Sequence, residues 1–262
     1  MEKYEHISKA RLKALTALGV KKFRRREGAF LVEGETLLRE AIGAGWRVLE
    51  VVADEEWIEK GEMLSALREQ DARIYEADSS ALRKLSDTFN PQPVISVVMH
   101  RETQLSDVPP NARGLAVPVG VQDPGNVGAI IRCADAFGLA AVILTDGCAE
   151  WQNPKVLRAS MGSCFHVPII SDVSLDALAA WLAERKVAAI AAVARGGEDI
   201  TKFVPPPAWA LLLGNEAAGL PEDVANKSQY RVTLLTPGRA ESLNVAVSAG
   251  VILHILTHAA AG

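Results

Sequence analysis

Cysteine is scarce in this chain. Cys133, Cys148 and Cys164 are the three thiols among 262 residues, and no CxxC spacing occurs. That odd set supports neither a zinc site nor a disulfide framework, and the three read as ordinary buried or half-buried thiols. GxGxxG is missing, and so is GxxxxGK followed by Ser or Thr, which removes a dinucleotide fingerprint and a P-loop. His254 and His258 stand four apart in HILTH, but the glutamate of HExxH is absent, so no metal is expected. A bilayer span needs roughly 20 mostly apolar residues. The longest apolar tract starts at Leu243 and is broken by Asn244, Ser248, His254 and His258. The start, MEKYEHISKARLKAL, lacks the apolar core of a secretory signal. A cytoplasmic protein without membrane or metal partners is expected.

A net positive charge is also lacking, since the formal charge is −4. Its distribution is uneven. Residues 1–30 carry nine basic side chains against Glu2, Glu5 and Glu27, a local charge of +6 that leaves −10 for the remainder. A basic arm on an acidic body holds phosphates through counterion release without a basic overall balance. A solvated helix end would use the same residues.

At 262 residues, 49% apolar and 23% charged, the chain suits one large soluble domain or two ordinary ones. Residues 7–18 predict a helix, followed by a basic turn over 19–28. Strands are predicted at 29–34, 48–53, 73–75 and 94–99, with helices at 35–44, 60–69 and 79–85. This alternation predicts a small α/β sandwich over residues 1–100. RETQLSDVPPNAR, 101–113, is polar and Pro-containing and reads as a linker. From 114 to 262 a second α/β run is expected. Its strands are 114–119, 141–145, 165–170, 187–193, 208–213 and 230–234; its helices are 126–137, 154–161, 175–184 and 242–258. The strands are near-continuous apolar runs, as in a parallel sheet covered on both faces.

Three segments carry polar residues inside apolar elements. In VQDPGNVGAIIRCADAFGLAAVIL, Val127, Ile130, Ile131, Ala134 and Phe137 share one helical face, with Arg132 on the other side and Asn126 at the expected N-cap. A helix start of this kind suits an anion, although an N-cap followed by a surface arginine needs nothing more. In LLLGNEAAGL an apolar strand ends at Gly214 and runs into Asn215 and Glu216, where parallel sheets seat ligands. In ESLNVAVSAGVIL a helix apolar all round begins near Asn244, which predicts a buried helix and a buried, hydrogen-bonded Asn244.

In their order and spacing, NVGAIIR, LLLGNEAAGLP and SLNVAVSAGVIL resemble the three motifs of the SpoU/TrmH branch of the SPOUT RNA methyltransferases. KKFRRREGAFLVEGETLLREAI resembles the ribosomal-protein-like substrate-binding domain fused to many members that modify ribosomal RNA. The resemblance implies a C-terminal SPOUT domain with a deep trefoil knot, a homodimer, and S-adenosylmethionine as cofactor. It implies methyl transfer to a ribose 2′-hydroxyl of RNA, most simply ribosomal RNA; a tRNA enzyme and an inactive RNA-binding member are the alternatives. Carried onto this chain, cofactor contacts fall at Gly214, Leu234 and Leu243, with Ala192, Val193 and Ala194 lining the pocket. Arg132, Asn126, Glu216, Ser242 and Asn244 match catalytic or near-catalytic positions. Many relatives have glycine where this chain has Ala217, so its loop is expected to differ slightly.

The resemblance makes Arg132 the group that acts on the hydroxyl, reaching the partner subunit's cofactor. Arginine keeps its charge at working pH, so stabilising a developing oxyanion competes with acting as a base. Lys21, Lys22, Arg24, Arg25 and Arg26 are the expected RNA-docking set.

Overall fold

Near-continuous apolar runs build the longer strands of the first sheet. In the computed structural model, which describes residues 4–239 and 242–259, this sheet uses β1 (Glu5–His6), β2 (Ala29–Glu33), β3 (Val48–Ala53), β4 (Arg73–Glu76) and β5 (Val94–Met99). The strand order is β1-β4-β3-β5-β2. β4 runs parallel to β1 and β3, and β5 pairs antiparallel with β3 and β2. Leu31, Val52, Ile95 and Val97 pack on one face against Leu15 and Leu18 of the α1 region and Leu82 and Leu85 of α6. Here α1 is Lys9–Ala17, α2 Lys21–Glu27, α3 Glu35–Gly43, α4 Glu55–Lys60, α5 Leu64–Glu69 and α6 Ser79–Leu85. Ser8, Asp54 and Asp78 cap α1, α4 and α6 by accepting from the N–H three residues on.

Three local expectations change. The basic turn over 19–28 is largely the helix α2, closed by Gly28 in the left-handed region. The predicted helix 60–69 begins only at Leu64, as α5, and is preceded by the unpredicted α4, which Gly61 at φ 66° ends. Arg24 is not free for docking: it is buried, and its Nη1 donates to the carbonyls of Leu18 and Gly19, each at 2.9 Å. Those carbonyls lie at the end of α1, where no later turn can satisfy them.

The chain forms two units, residues up to Arg101 with Gln152–Phe165, and Glu102–Trp151 with His166 onward. The excursion Gln152–Phe165 carries α8 (Pro154–Ser160), which packs against β2. The segment read as a linker has packing of its own in the second unit, where Val108 is buried in the core.

The second sheet is parallel throughout. It contains β6 (Gly114–Pro118), β7 (Ala141–Thr145), β8 (Ile169–Val173), β9 (Ala188–Ala192), β10 (Glu198–Asp199), β11 (Trp209–Leu213) and β12 (Tyr230–Thr233). Their order is β10-β12-β9-β11-β6-β7-β8. β8 begins later than its predicted start at 165, because Ser163–Phe165 is a 3₁₀ turn and Pro168 brings no donor to a ladder. The helices are α7 (Pro124–Ala136), α9 (Leu175–Arg185), α10 (Glu222–Lys227) and α11 (Val245–Ala259). The order places β12 between β9 and β10, which are consecutive in the chain. Their connection passes so close over β12 that a Cβ on Gly197 would lie 2.7 Å from the Val232 carbonyl carbon and 2.8 Å from Thr233 Oγ1. Only glycine fits there.

Candidate active site

The carboxyl ends of β6, β11, β9 and β12 are where an open parallel sheet leaves its ligand crevice. β6 leads through Val119–Asp123 into α7. Asp123, not Asn126, is the N-cap: its Oδ1 accepts from the Asn126 N–H at 2.9 Å, with Pro124 at the first helical position. Proline fits there because its missing N–H would have no intrahelical acceptor. This correction releases the Asn126 side chain, which a capping role would have consumed.

Asn126 uses that freedom at both ends of its amide. Its Nδ2 donates to Glu216 Oε1 at 2.6 Å, and its Oδ1 accepts from Asn244 Nδ2 at 2.9 Å. Asn244 Oδ1 in turn accepts from the N–H groups of Ala246 and Val247, at 2.8 and 3.2 Å. Asn244 is therefore the cap of α11, which explains why this helix starts at Val245 rather than at 242. It is exposed, contrary to the expectation of burial, but fully engaged. One residue from each of the three sequence segments thus joins a single hydrogen-bonded relay.

The loop after β11 is held as tightly. Asn215 Nδ2 donates to the Gly120 carbonyl at 2.8 Å, and its Oδ1 accepts from Ala217 and Ala218 N–H at 2.9 and 3.2 Å. Thr145 Oγ1 accepts the Gly120 N–H at 3.1 Å. Both backbone groups of Gly120 are thereby fixed by side chains from other elements. A Cβ on Gly214 would lie 2.2 Å from the Leu220 nitrogen, so the loop folds back on its own strand end. Ala217 makes its N–H contact to Asn215 within this loop.

Asp123 and Thr145 were missed by the sequence reading, and Asn215 was named only for its place after the strand, without its partner Gly120. The Asp-Pro pair signals a cap followed by a first helical residue, and could have been read. Thr145 joins through a sheet neighbour distant in sequence, and no local signal marks it.

Ala192, Val193 and Ala194 sit at the end of β9, partly to fully exposed, and Leu234 follows β12. Ser242 and Leu243 are exposed just before α11, and Glu241 lies outside the described residues. This set offers backbone groups and small or apolar side chains, which is the chemistry that suits an adenine ring and its ribose. Arg132 is exposed on α7 and makes no hydrogen bond or ion pair among the described residues. It stands six positions beyond Asn126, about 120° round the helix, and does not join the relay. Lys21, Lys22, Arg25 and Arg26 of the first unit are exposed, and Arg26 lies 4.9 Å from the Phe23 ring centroid.

α11 packs against α7 and β11 and buries Ala246, Ala249, Ile252, Leu253 and Leu256. The expectation of a helix buried on every side fails on its other face, where Val247 and Val251 are 53% and 38% exposed. His254 and His258 continue that exposed row. Burial pushes the Cys133 and Cys148 thiols above their ordinary range, which disfavours the nucleophilic thiolate. Among the described residues no cluster of ligating side chains could hold a metal ion, and no helix is long and apolar enough to cross a membrane.

Residues 115–254 match the model of the SpoU rRNA Methylase family, and residues 9–96 match the MRM3-like substrate binding domain. The chain is 32% identical over 256 residues to the 23S rRNA (guanosine(2553)-2'-O)-methyltransferase RlmP of Bacillus subtilis (strain 168), covering 98% of this chain and 99% of that protein. It is similar to the AdoMet-bound rRNA methyltransferase of Sinorhizobium meliloti, with a TM-score of 0.87, 28% identity and coverage of 97% and 96%. It is also similar to the AdoMet complex of the SpoU methyltransferase AviRb of Streptomyces viridochromogenes, with a TM-score of 0.86, 28% identity and coverage of 96% and 98%.

Proposed function

The chain belongs to the SpoU rRNA methylase family, and we infer that it methylates a ribose 2′-hydroxyl of ribosomal RNA with S-adenosylmethionine. The observation that carries this reading is the relay Glu216–Asn126–Asn244, which draws all three motif segments to one end of a parallel sheet. The likeness to two AdoMet-bound structures supports the cofactor.

Gly214, Leu234, Leu243 and Ala192–Ala194 would hold the cofactor, mostly through backbone groups. When bound, it supplies an activated methyl on a sulfonium. The protein's task is to orient the 2′-oxygen and manage its proton. Asn126 and Asn244, locked by their own hydrogen bonds, present fixed dipoles to the ribose, and Glu216 anchors their orientation. Ser242 adds a hydroxyl at the same rim. Arg132 stabilises the negative charge that grows on the 2′-oxygen as its proton departs, the kind of preorganised contact worth several kcal/mol in other enzymes.

Arg132 faces away from the relay of its own chain, which supports service to the site of a second copy. The exposed apolar residues Val247 and Val251 on α11 support a homodimer that uses this helix. The placement of β12 between β9 and β10, with Gly197 crossing it, supports a trefoil knot. Lys21, Lys22, Arg25 and Arg26 dock RNA phosphates in a cytoplasmic enzyme.

The test is direct. Purified protein with labelled S-adenosylmethionine and unmodified ribosomal RNA should yield 2′-O-methylnucleosides after digestion, and tRNA should yield none. Label on a base, or none on ribosomal RNA, would overturn the reading.

A further inference from the structure

The loop between α6 and β5 carries a side chain that methyl transfer does not use. Phe89 is 91% exposed, ahead of Val204 at 79%. A phenyl ring in water forgoes the burial that ordinarily stabilises it by roughly 1.5–3 kcal/mol, so its position asks for a reason.

Looseness is not that reason. The Glu33 carboxylate at the end of β2, its side chain 7% exposed, accepts from Ser86 Oγ at 2.8 Å, Thr88 Oγ1 at 3.1 Å and the Gln92 N–H at 3.0 Å. The Thr88 N–H donates to Ser86 Oγ at 2.9 Å. Asp87 is gripped by both Nη atoms of Arg158 on α8, at 2.5 and 3.0 Å. Pro91 and Pro93 fix their own φ angles. The ring is therefore held out on a stapled loop.

Its surroundings narrow the occupant. Along the loop Phe89 is flanked by the polar Asp87, Thr88, Asn90 and Gln92, which add no second large apolar side chain. Arg83 and Lys84, in the last turn of α6, are exposed cations just before the loop. Arg158 neutralises Asp87, the loop's own carboxylate, which would otherwise repel a phosphate. A single preorganised aromatic with cations beside it suits a base and its backbone.

We propose that Phe89 is a stacking platform for one unpaired nucleobase of the RNA substrate. The proposal rests on the RNA-methyltransferase reading and adds a recognition point in the first unit. Stacking needs a flat π-face, so aromatic variants retain it and aliphatic ones do not.

The experiment measures binding of the full chain to unmodified ribosomal RNA transcript, and methyl transfer with the same RNA, for wild type, Phe89→Ala, Phe89→Leu and Phe89→Trp. Loss of one base–aromatic stack weakens binding about 5- to 100-fold. Phe89→Ala and Phe89→Leu should show that loss with a raised KM, an unchanged kcat and an unchanged melting midpoint. Phe89→Trp should bind as wild type does. Leucine binding as tightly as phenylalanine, or alanine binding like wild type while methyl transfer proceeds, overturns the platform alone. A defect seen with assembled ribosomal subunits but not with naked RNA assigns the ring to a protein and also overturns it. A wild-type chain that transfers no methyl group to RNA overturns the functional reading, and the platform with it.

Discussion

Asn244 Nδ2 donates to Asn126 Oδ1 at 2.9 Å, across 118 residues of sequence. The direction of this bond is forced. Asn244 Oδ1 is committed to the first N–H groups of α11, so its amide nitrogen must point outward. That nitrogen takes the Asn126 oxygen, which turns the Asn126 nitrogen toward the Glu216 carboxylate. A helix cap thus sets the orientation of Asn126 and Glu216 beyond the carboxyl ends of the strands. Folding and preorganisation share the same atoms.

Asn244→Asp separates them. Aspartate caps a helix as well as asparagine does, so the melting midpoint should stay near that of wild type. The donor to Asn126 is gone, and an oxygen faces an oxygen. Turnover on ribosomal RNA should fall about tenfold or more, equivalent to roughly 1.4 kcal/mol of lost transition-state stabilisation. Wild-type turnover in this variant would remove the relay from the mechanism.

Gly214→Ala tests the loop after β11. Its Cβ would lie 2.2 Å from the Leu220 nitrogen and 2.3 Å from the Gly219 carbonyl carbon, both backbone atoms that cannot swing aside. Gly238→Ala meets nothing within 4 Å and serves as the control. Calorimetric affinity for S-adenosylmethionine should drop at least tenfold in the first variant and stay unchanged in the second. Equal affinities would mean that the loop does not shape the cofactor site.

The sequence made much of this legible, because periodicity and cap chemistry are local. The strands of both sheets and most helices follow apolar runs, and the motif order led to Asn126, Glu216 and Asn244. What escaped was set by distant contacts. The cap at Asp123 was assigned three residues late because Asn126 is itself a good cap. Arg24 looked like its basic neighbours until α1 ended beside it with unsatisfied carbonyls. α11 reads as apolar all round, yet α7 and β11 leave Val247 and Val251 exposed. The position of β12 between β9 and β10 has no trace in local pattern.

Asn215 and Thr145 grip Gly120 from opposite sides, and each predicts a distinct outcome. Asn215→Leu removes the donor to the Gly120 carbonyl and the acceptor for two loop N–H groups. Thr145→Val keeps the shape but leaves the Gly120 N–H without its acceptor. An unsatisfied buried backbone group costs about 1–3 kcal/mol, and Gly120 is half-buried, so Thr145→Val should lower stability by about 1 kcal/mol in urea titration. Asn215→Leu should raise the S-adenosylmethionine dissociation constant more than it lowers stability, because its bonds organise an exposed loop. The reverse ranking would make Asn215 a folding residue only.

The Asp87–Arg158 pair sets a pH dependence in the first unit. Hydrogen bonding from the Arg158 guanidinium holds the Asp87 carboxyl below the ordinary carboxylate range. The folded state therefore binds its proton less readily than the unfolded chain. The resulting stabilisation is present above the unfolded value, about 3.9 for aspartate, and is lost as pH falls through the folded one. Asp87→Asn is the cleaner variant, since Arg158 also lies 3.7 Å from the enclosed Glu33 carboxylate. The melting midpoint of Asp87→Asn should fall below that of wild type near neutrality and converge with it as pH drops below the ordinary aspartate value of about 3.9. The gap should be modest and shrink in salt, because the pair is partly exposed. A gap that persists undiminished in acid would mean that the loop is held by its hydrogen bonds to Glu33 and that the ion pair contributes little.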